Sequence, residues 1–151
     1  MEVYRISTEI HANALTSSGS MNRWNLNGQK VLYVGSSRSL STLELVVHKS
    51  KIYPKVPYKV MIIFIVDSDA LIRQINIERL PDNWRTVAAY PFLQAIGSEW
   101  YVCQESLLLK VPSVVIPQEY NYAINTEHPD FSSNVSLIRT EDFFFDERLF
   151  L

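Results

Sequence analysis

The chain has 151 residues, 47% of them hydrophobic and 20% charged, with a formal net charge of −2. That length fits one domain with a sizeable core, and the mixture is that of a globular rather than a disordered chain. A pI near 5.9 leaves no basic footprint for direct nucleic-acid binding, and a single cysteine excludes an internal disulfide.

Taken in chain order, Met1–Ile6 is predicted as a first strand and Glu9–Leu15 as a short helix. Thr16–Asn22, rich in Ser, Asn and Gly, reads as a loop inside the domain. Asn25-Leu26-Asn27-Gly28 is a turn signal, and Lys30–Val34 follows as a strand. Ser39 is the expected N-cap of a helix from Leu40 to about Lys49, and Pro54 and Pro57 then break the chain. Tyr58–Val66 is almost wholly apolar and β-branched, which predicts a strand buried on both faces; its apolar run is too short to span a bilayer.

Further on, Ala70–Gln74 is expected as a short helix and Pro81 and Pro91 frame irregular chain. Phe92–Trp100 is expected as a short helix interrupted by Gly97. Leu107–Val111 and Ser113–Ile116 are expected strands separated by Pro112, with further strands at Tyr120–Ile124, Val135–Arg139 and Phe143–Phe145. The pattern predicts one strand-rich α+β domain over residues 1–151 with short helices, and not a regular βαβ alternation. Composition and the lone Cys103 point to a reducing, cytoplasmic setting with no membrane span and no signal peptide.

No glycine-rich phosphate loop, zinc-protease helix or serine-hydrolase elbow occurs in the chain. Glu44 flanks the apolar stripe Leu40, Leu43 and Val47; it either reaches solvent, pairs with His48, or aims a carboxylate into a pocket. Arg23, beside Trp24, is either a stacked structural arginine or a fork for phosphate oxygens, and Arg5 in the first strand has the same two roles open. Tyr33 reads first as a core tyrosine with a tethered hydroxyl, and Ser113 as a serine satisfying local backbone. Asn121 and Asn125 offer amides either to a ligand or to turns. His11, His48 and His128 are scattered without metal-ligand spacing, His128-Pro129-Asp130 reads as an ordered turn, and Asp67 and Asp69 read as turn residues before a cation site, so no metal is expected.

The order of short motifs says more than any one of them. Tyr4-Arg5-Ile6, Arg23-Trp24-Asn25, Val31-Leu32-Tyr33, Glu44 within Leu40–His48, Gln94-Ala95-Ile96-Gly97 with Trp100, Val111-Pro112-Ser113, Asn121–Asn125, His128–Phe131 and Phe145–Leu149 together resemble the RES-domain family over essentially the whole chain. The Arg, Glu and Ser that give the family its name would be Arg23, Glu44 and Ser113. Three positions depart from the usual pattern: Met21-Asn22 replaces Gly-Gly, Ser98 replaces Asp, and Thr126 replaces Pro.

The resemblance implies an ADP-ribosyltransferase-like fold and a bacterial toxin that depletes NAD⁺ by cutting the nicotinamide–ribose bond, by hydrolysis or phosphorolysis. Some members are reported to modify a protein instead, and a non-catalytic nucleotide-binding module is the remaining alternative. It implies NAD⁺ as substrate with no separate cofactor, an Xre-type helix-turn-helix antitoxin as partner, and a homodimer within that complex. Arg23, Tyr33 and Glu44 would be catalytic, and Arg5, Ser113, Asn121 and Asn125 would bind the nucleotide.

Overall fold

The structure is a computed structural model that describes residues 1–48, 52 and 55–150. Its strands are β1 (Glu2–Thr8), β2 (Val31–Gly35), β3 (Tyr58–Ile65), β4 (Ile72–Gln74), β5 (Leu108–Pro112), β6 (Tyr120–Asn125) and β7 (Val135–Phe143). Its helices are α1 (Arg38–Val47), α2 (Tyr90–Cys103) and the single turn α3 (Phe131–Asn134). The strands form a seven-stranded sheet in the order β4-β5-β6-β2-β1-β3-β7. Only β4 and β5 run parallel; every other neighbour is antiparallel. The expected strand-rich α+β unit is therefore what the chain forms.

Alternation along the strands explains the layers. On β3, Met61, Ile63 and Ile65 face one apolar cluster with Leu32, Val34, Leu108 and Ile124. Tyr58, Val60 and Ile62 face the opposite side, in a second cluster with Ile6 and Ile52. The prediction of a strand buried on both faces holds over Tyr58–Ile65 apart from the exposed Phe64, while Val66 falls outside the strand and is exposed. A third cluster lies under α2, where Trp24, Trp84, Leu93 and Trp100 cover Val31, Leu109, Val111 and Ala123.

Several local expectations are corrected. Glu9–Leu15 is only a 3₁₀ turn at Glu9–His11. Ser37, not Ser39, caps α1: its side chain accepts from the Leu40 amide, which starts the helix two residues earlier. The predicted end of α1 at Lys49, and Pro54, lie outside the described residues. Ala70–Gln74 is a 3₁₀ turn at Asp69–Leu71 leading into β4, because Ile72, Arg73 and Gln74 pair with β5 instead of coiling. Pro112 ends β5 within its pairing to Tyr120, and Ser113–Ile116 is a turn rather than a strand. The strands predicted at Val135–Arg139 and Phe143–Phe145 merge into one: β7 runs from Val135 to Phe143 against β3, with a register shift at Ile138 opposite Ile62 and Ile63, and Phe144 and Phe145 lie beyond it.

Helix α2 is the largest difference. Pro81 and Pro91 do frame chain without a strand or α-helix, but Pro91 itself already sits in the first turn of α2, where a missing N–H costs nothing. Gly97 does not interrupt the helix. A Cβ there would lie 1.7 Å from the Trp24 carbonyl oxygen, so glycine is what lets α2 press on the Arg23-Trp24 backbone. Gly97→Ala should cost about 3 kcal/mol, because overpacking against rigid backbone outweighs alanine's better helix propensity. A urea unfolding curve checks this; an unchanged midpoint would contradict the packing argument.

Candidate functional site

Strands β1 and β2 are sheet neighbours but hardly paired. β1 registers with β3 from Glu2 to Thr8, whereas its only registered pair with β2 is Tyr4 with Gly35. The Tyr4 carbonyl meets instead the Ser41 hydroxyl of α1 at 3.0 Å, whose single proton it shares with the Ser37 carbonyl at 2.9 Å. Gly35 permits that approach, since a Cβ there would lie 2.3 Å from Ser41 Oγ. Beyond this point the strands part and a cleft of about 350 Å³ opens, with Arg5, Arg23, Tyr33, Glu44, Tyr90 and Asn121 among its lining.

Arg5 reaches across the opening. Its Nη1 donates to the Tyr33 carbonyl at 3.1 Å, satisfying a β2 acceptor that a full ladder would have used. Burial pulls the guanidinium below its ordinary pKa.

Arg23 sits in a two-residue turn between Asn22 and Asn25, whose backbones bridge each other. It stacks on Tyr90, 4.7 Å from the ring centroid, and not on the adjacent Trp24, which is buried under α2. Its Nη1 donates to the Trp84 carbonyl at 3.0 Å. The two readings of Arg23 thus merge: the side chain is stacked and tethered, yet it still lines the cleft. The missing Gly-Gly does no harm to this turn. Neither Met21 nor Asn22 has a positive φ, and Gln94 of α2 donates to the Asn22 carbonyl at 2.8 Å.

Glu44 lies on a face of α1 formed by Ser41, Glu44, Leu45 and His48, all lining the cleft. Its Oε1 accepts from Ser113 Oγ at 2.7 Å and from Asn121 Nδ2 at 2.6 Å. Ser113 is fully buried, and its Oγ accepts from the amides of Val115 and Ile116, both at 3.1 Å. With both lone pairs engaged, its single proton goes to Glu44. Oε2 accepts no hydrogen bond from any described residue, and it is the oxygen left for a ligand.

The structure therefore brings Arg5, Arg23, Tyr33, Glu44 and Asn121 to one cleft, with Ser113 behind Glu44 rather than on the lining. Asn125 is a correction. It is buried at the far end of β6, donates to the Tyr101 carbonyl and accepts from the Glu127 amide, which makes it a turn residue remote from the cleft. Sequence reasoning missed Tyr90 and Tyr4 as lining residues. It also missed Asn25, 1% exposed, whose Oδ1 accepts the Tyr33 hydroxyl at 2.6 Å. The Ser41-Glu44-Leu45-His48 spacing was the available signal for the cleft face of α1.

The other departures have local explanations. Ser98 Oγ accepts from Gln29, and the Thr126 amide donates to the Lys30 carbonyl, a bond that proline could not make. His128 accepts the Asp130 amide at Nδ1 and meets the Gln104 carbonyl at Nε2, as an ordered turn requires. Among the described residues no group of three His, Cys, Asp or Glu could hold a metal ion, and no helix is long and apolar enough to cross a membrane.

A RES domain is matched over residues 2–146, and the chain belongs to the RES-domain family. It is 35% identical to a protein of Yersinia enterocolitica named Toxin Res, covering 99% of this chain and 95% of that one. It is 30% identical to a Sphingobium protein named Prs ADP-ribosylating toxin, over 97% and 94% of the two chains. Its fold resembles the crystal structure of the M. tuberculosis MbcT–MbcA toxin–antitoxin complex, with a TM-score of 0.71 at 17% identity over 94% of this chain and 83% of the other.

Burial, opposed by a backbone hydrogen bond at Trp24, holds the Tyr33 phenol well above its ordinary value near 10. The folded state then keeps a proton that the unfolded chain releases. This stabilisation is complete below pH 10 and is lost as pH rises past it. Thermal melts from pH 8 to 11 should show the wild-type midpoint falling above pH 10 more steeply than that of Tyr33→Phe. Parallel curves would contradict the assignment.

Proposed function

We propose that this chain is the toxin of a toxin–antitoxin pair and that it cleaves the nicotinamide–ribose bond of NAD⁺ in the cleft between β1 and β2. The observation that carries the reading is the convergence of Arg5, Arg23, the Tyr33 ring and the Glu44 oxygen that no described residue engages. In NAD⁺ the leaving group is a pyridinium. Breaking the bond sends its electron pair to the ring nitrogen, so nicotinamide departs neutral and needs little acid assistance. Positive charge then develops on the ribose carbon.

The guanidiniums of Arg5 and Arg23 suit a diphosphate. The Tyr33 ring gives a flat apolar wall for nicotinamide or the ribose. Oε2 of Glu44 accepts from a ribose hydroxyl and faces the developing cation, while Ser113 and Asn121 hold Oε1 and prevent the carboxylate from turning away. Water or phosphate then adds to the ribose carbon, giving ADP-ribose or its phosphate ester. A protein acceptor is the second reading, favoured by the name of the Sphingobium relative. An antitoxin of helix-turn-helix type that covers the cleft completes the proposal. Its motivation is the complex to which the fold is similar.

Glu44→Gln preserves size and keeps an oxygen for Ser113 and Asn121, but it turns the free acceptor into an amide donor. NAD⁺ turnover followed by nicotinamide release should fall by about 10²–10³-fold in kcat. Turnover at the parent rate would remove Glu44 from the chemistry. Release that needs neither phosphate nor added protein identifies hydrolysis, stimulation by phosphate identifies phosphorolysis, and dependence on an added protein identifies transfer.

A further inference from the structure

Asn25 commits both protons of its side-chain amide. Its Nδ2 donates to the Ser20 and Leu26 carbonyls, both at 3.0 Å. With both amide protons committed to backbone, the orientation of the amide is fixed and Oδ1 can only accept. What it accepts is the Tyr33 hydroxyl proton, at 2.6 Å, from the next strand. The Asn25 backbone is bridged to Asn22 across the turn that carries Arg23, and α2 presses on that turn at Trp24. One buried amide therefore joins the anchored turn to the aromatic side of the cleft, while contributing nothing to the cleft lining itself.

We propose that Asn25 is the positioning residue for Tyr33: it takes the phenol proton into the protein interior and so presents Tyr33 to the ligand as an oriented, uncharged ring rather than as a proton donor or base. This rests on the reading that NAD⁺ is cleaved in this cleft. A tyrosine free to rotate could exchange its proton with a ribose hydroxyl or with the incoming acceptor. Here that proton is already committed to Asn25, and burial opposes its release. The contribution of Tyr33 to the reaction is then the plane of its ring, and the hydroxyl matters only as the tether that sets that plane.

The test is a double-mutant cycle on NAD⁺ turnover with Tyr33→Phe, Asn25→Ser and the double variant, each checked for folding by circular dichroism. Tyr33→Phe should lower kcat/KM about tenfold in the wild-type background, as expected for losing one buried hydrogen bond. In the Asn25→Ser background it should cost less than about twofold, because the hydroxyl has nothing left to hold it. An equal cost in both backgrounds, or no cost in the first, would overturn the proposal. Tyr33→Leu, which removes the ring, should fall well below Tyr33→Phe; equal rates for the two would also overturn it. The wild-type rate should stay level from pH 8 to 10, and an alkaline limb abolished by Tyr33→Phe would show a titrating catalytic phenol instead.

Should Asn25→Ser not fold, proton NMR of the unliganded wild type decides. A slowly exchanging downfield hydroxyl proton, absent in Tyr33→Phe and showing a cross-peak to the Asn25 side-chain amide, is expected; a rapidly exchanging hydroxyl would refute the tether. Because that spectrum needs no nucleotide, failure to turn over NAD⁺ would sink the activity reading while leaving the tether separately decided.

Discussion

Strands β1 and β2 share a single registered pair, Tyr4 with Gly35, and the cleft follows from what happens beyond it. A continuous ladder there would close the sheet and leave no room for a ligand. Ser41 of α1 meets the Tyr4 carbonyl, and the Arg5 side chain takes the Tyr33 carbonyl, so these two acceptors are not orphaned where the strands part. The second of these bonds also puts a guanidinium at the base of the gap. Opening the sheet and charging the opening are thus one structural act. It is made possible by a glycine that lets α1 approach β2 and a serine on α1 that reaches β1.

The opposite side of the cleft is organised by proton counting. Ser113 spends its lone pairs on two backbone amides, so it can only donate to Glu44. Asn121 donates to the same oxygen. The carboxylate is held by one oxygen and offered by the other. A preorganised anion of this kind does no reorganisation when positive charge develops beside it, which is the usual source of large electrostatic rate effects. Arg23, Glu44 and Ser113 thus have unequal places in this chain: Arg23 and Glu44 border the cleft, and Ser113 lies behind Glu44.

Much of this was legible in the sequence, in uneven measure. The β-branched run at Tyr58–Ile65 and the turn residues around it announced a buried strand, because local propensity and tertiary burial agree there. The ordered motifs carried Arg5, Arg23, Tyr33, Glu44 and Asn121 to one cleft although the residues are far apart in the chain. Helix α2 was misread since Pro91 and Gly97 are breakers by propensity; the first is harmless in an opening turn, and the second is required by contact with Trp24, which no local pattern reveals. Ile72–Gln74 became a strand only because β5 offered an edge. Asn125 looked like Asn121 in sequence, but its place at the other end of β6 sends its amide into a turn. Asn25 was passed over as a turn former because its value depends on Tyr33, its neighbour through a hydrogen bond rather than in sequence.

The most direct test of the account is a crystal structure of the Glu44→Gln variant soaked with NAD⁺. The dinucleotide should lie between β1 and β2, with its diphosphate on Arg5 and Arg23, the nicotinamide ribose within hydrogen-bonding distance of residue 44, and a flat face against Tyr33. NAD⁺ bound on another surface, or bound here with the ribose turned away from residue 44, would contradict it.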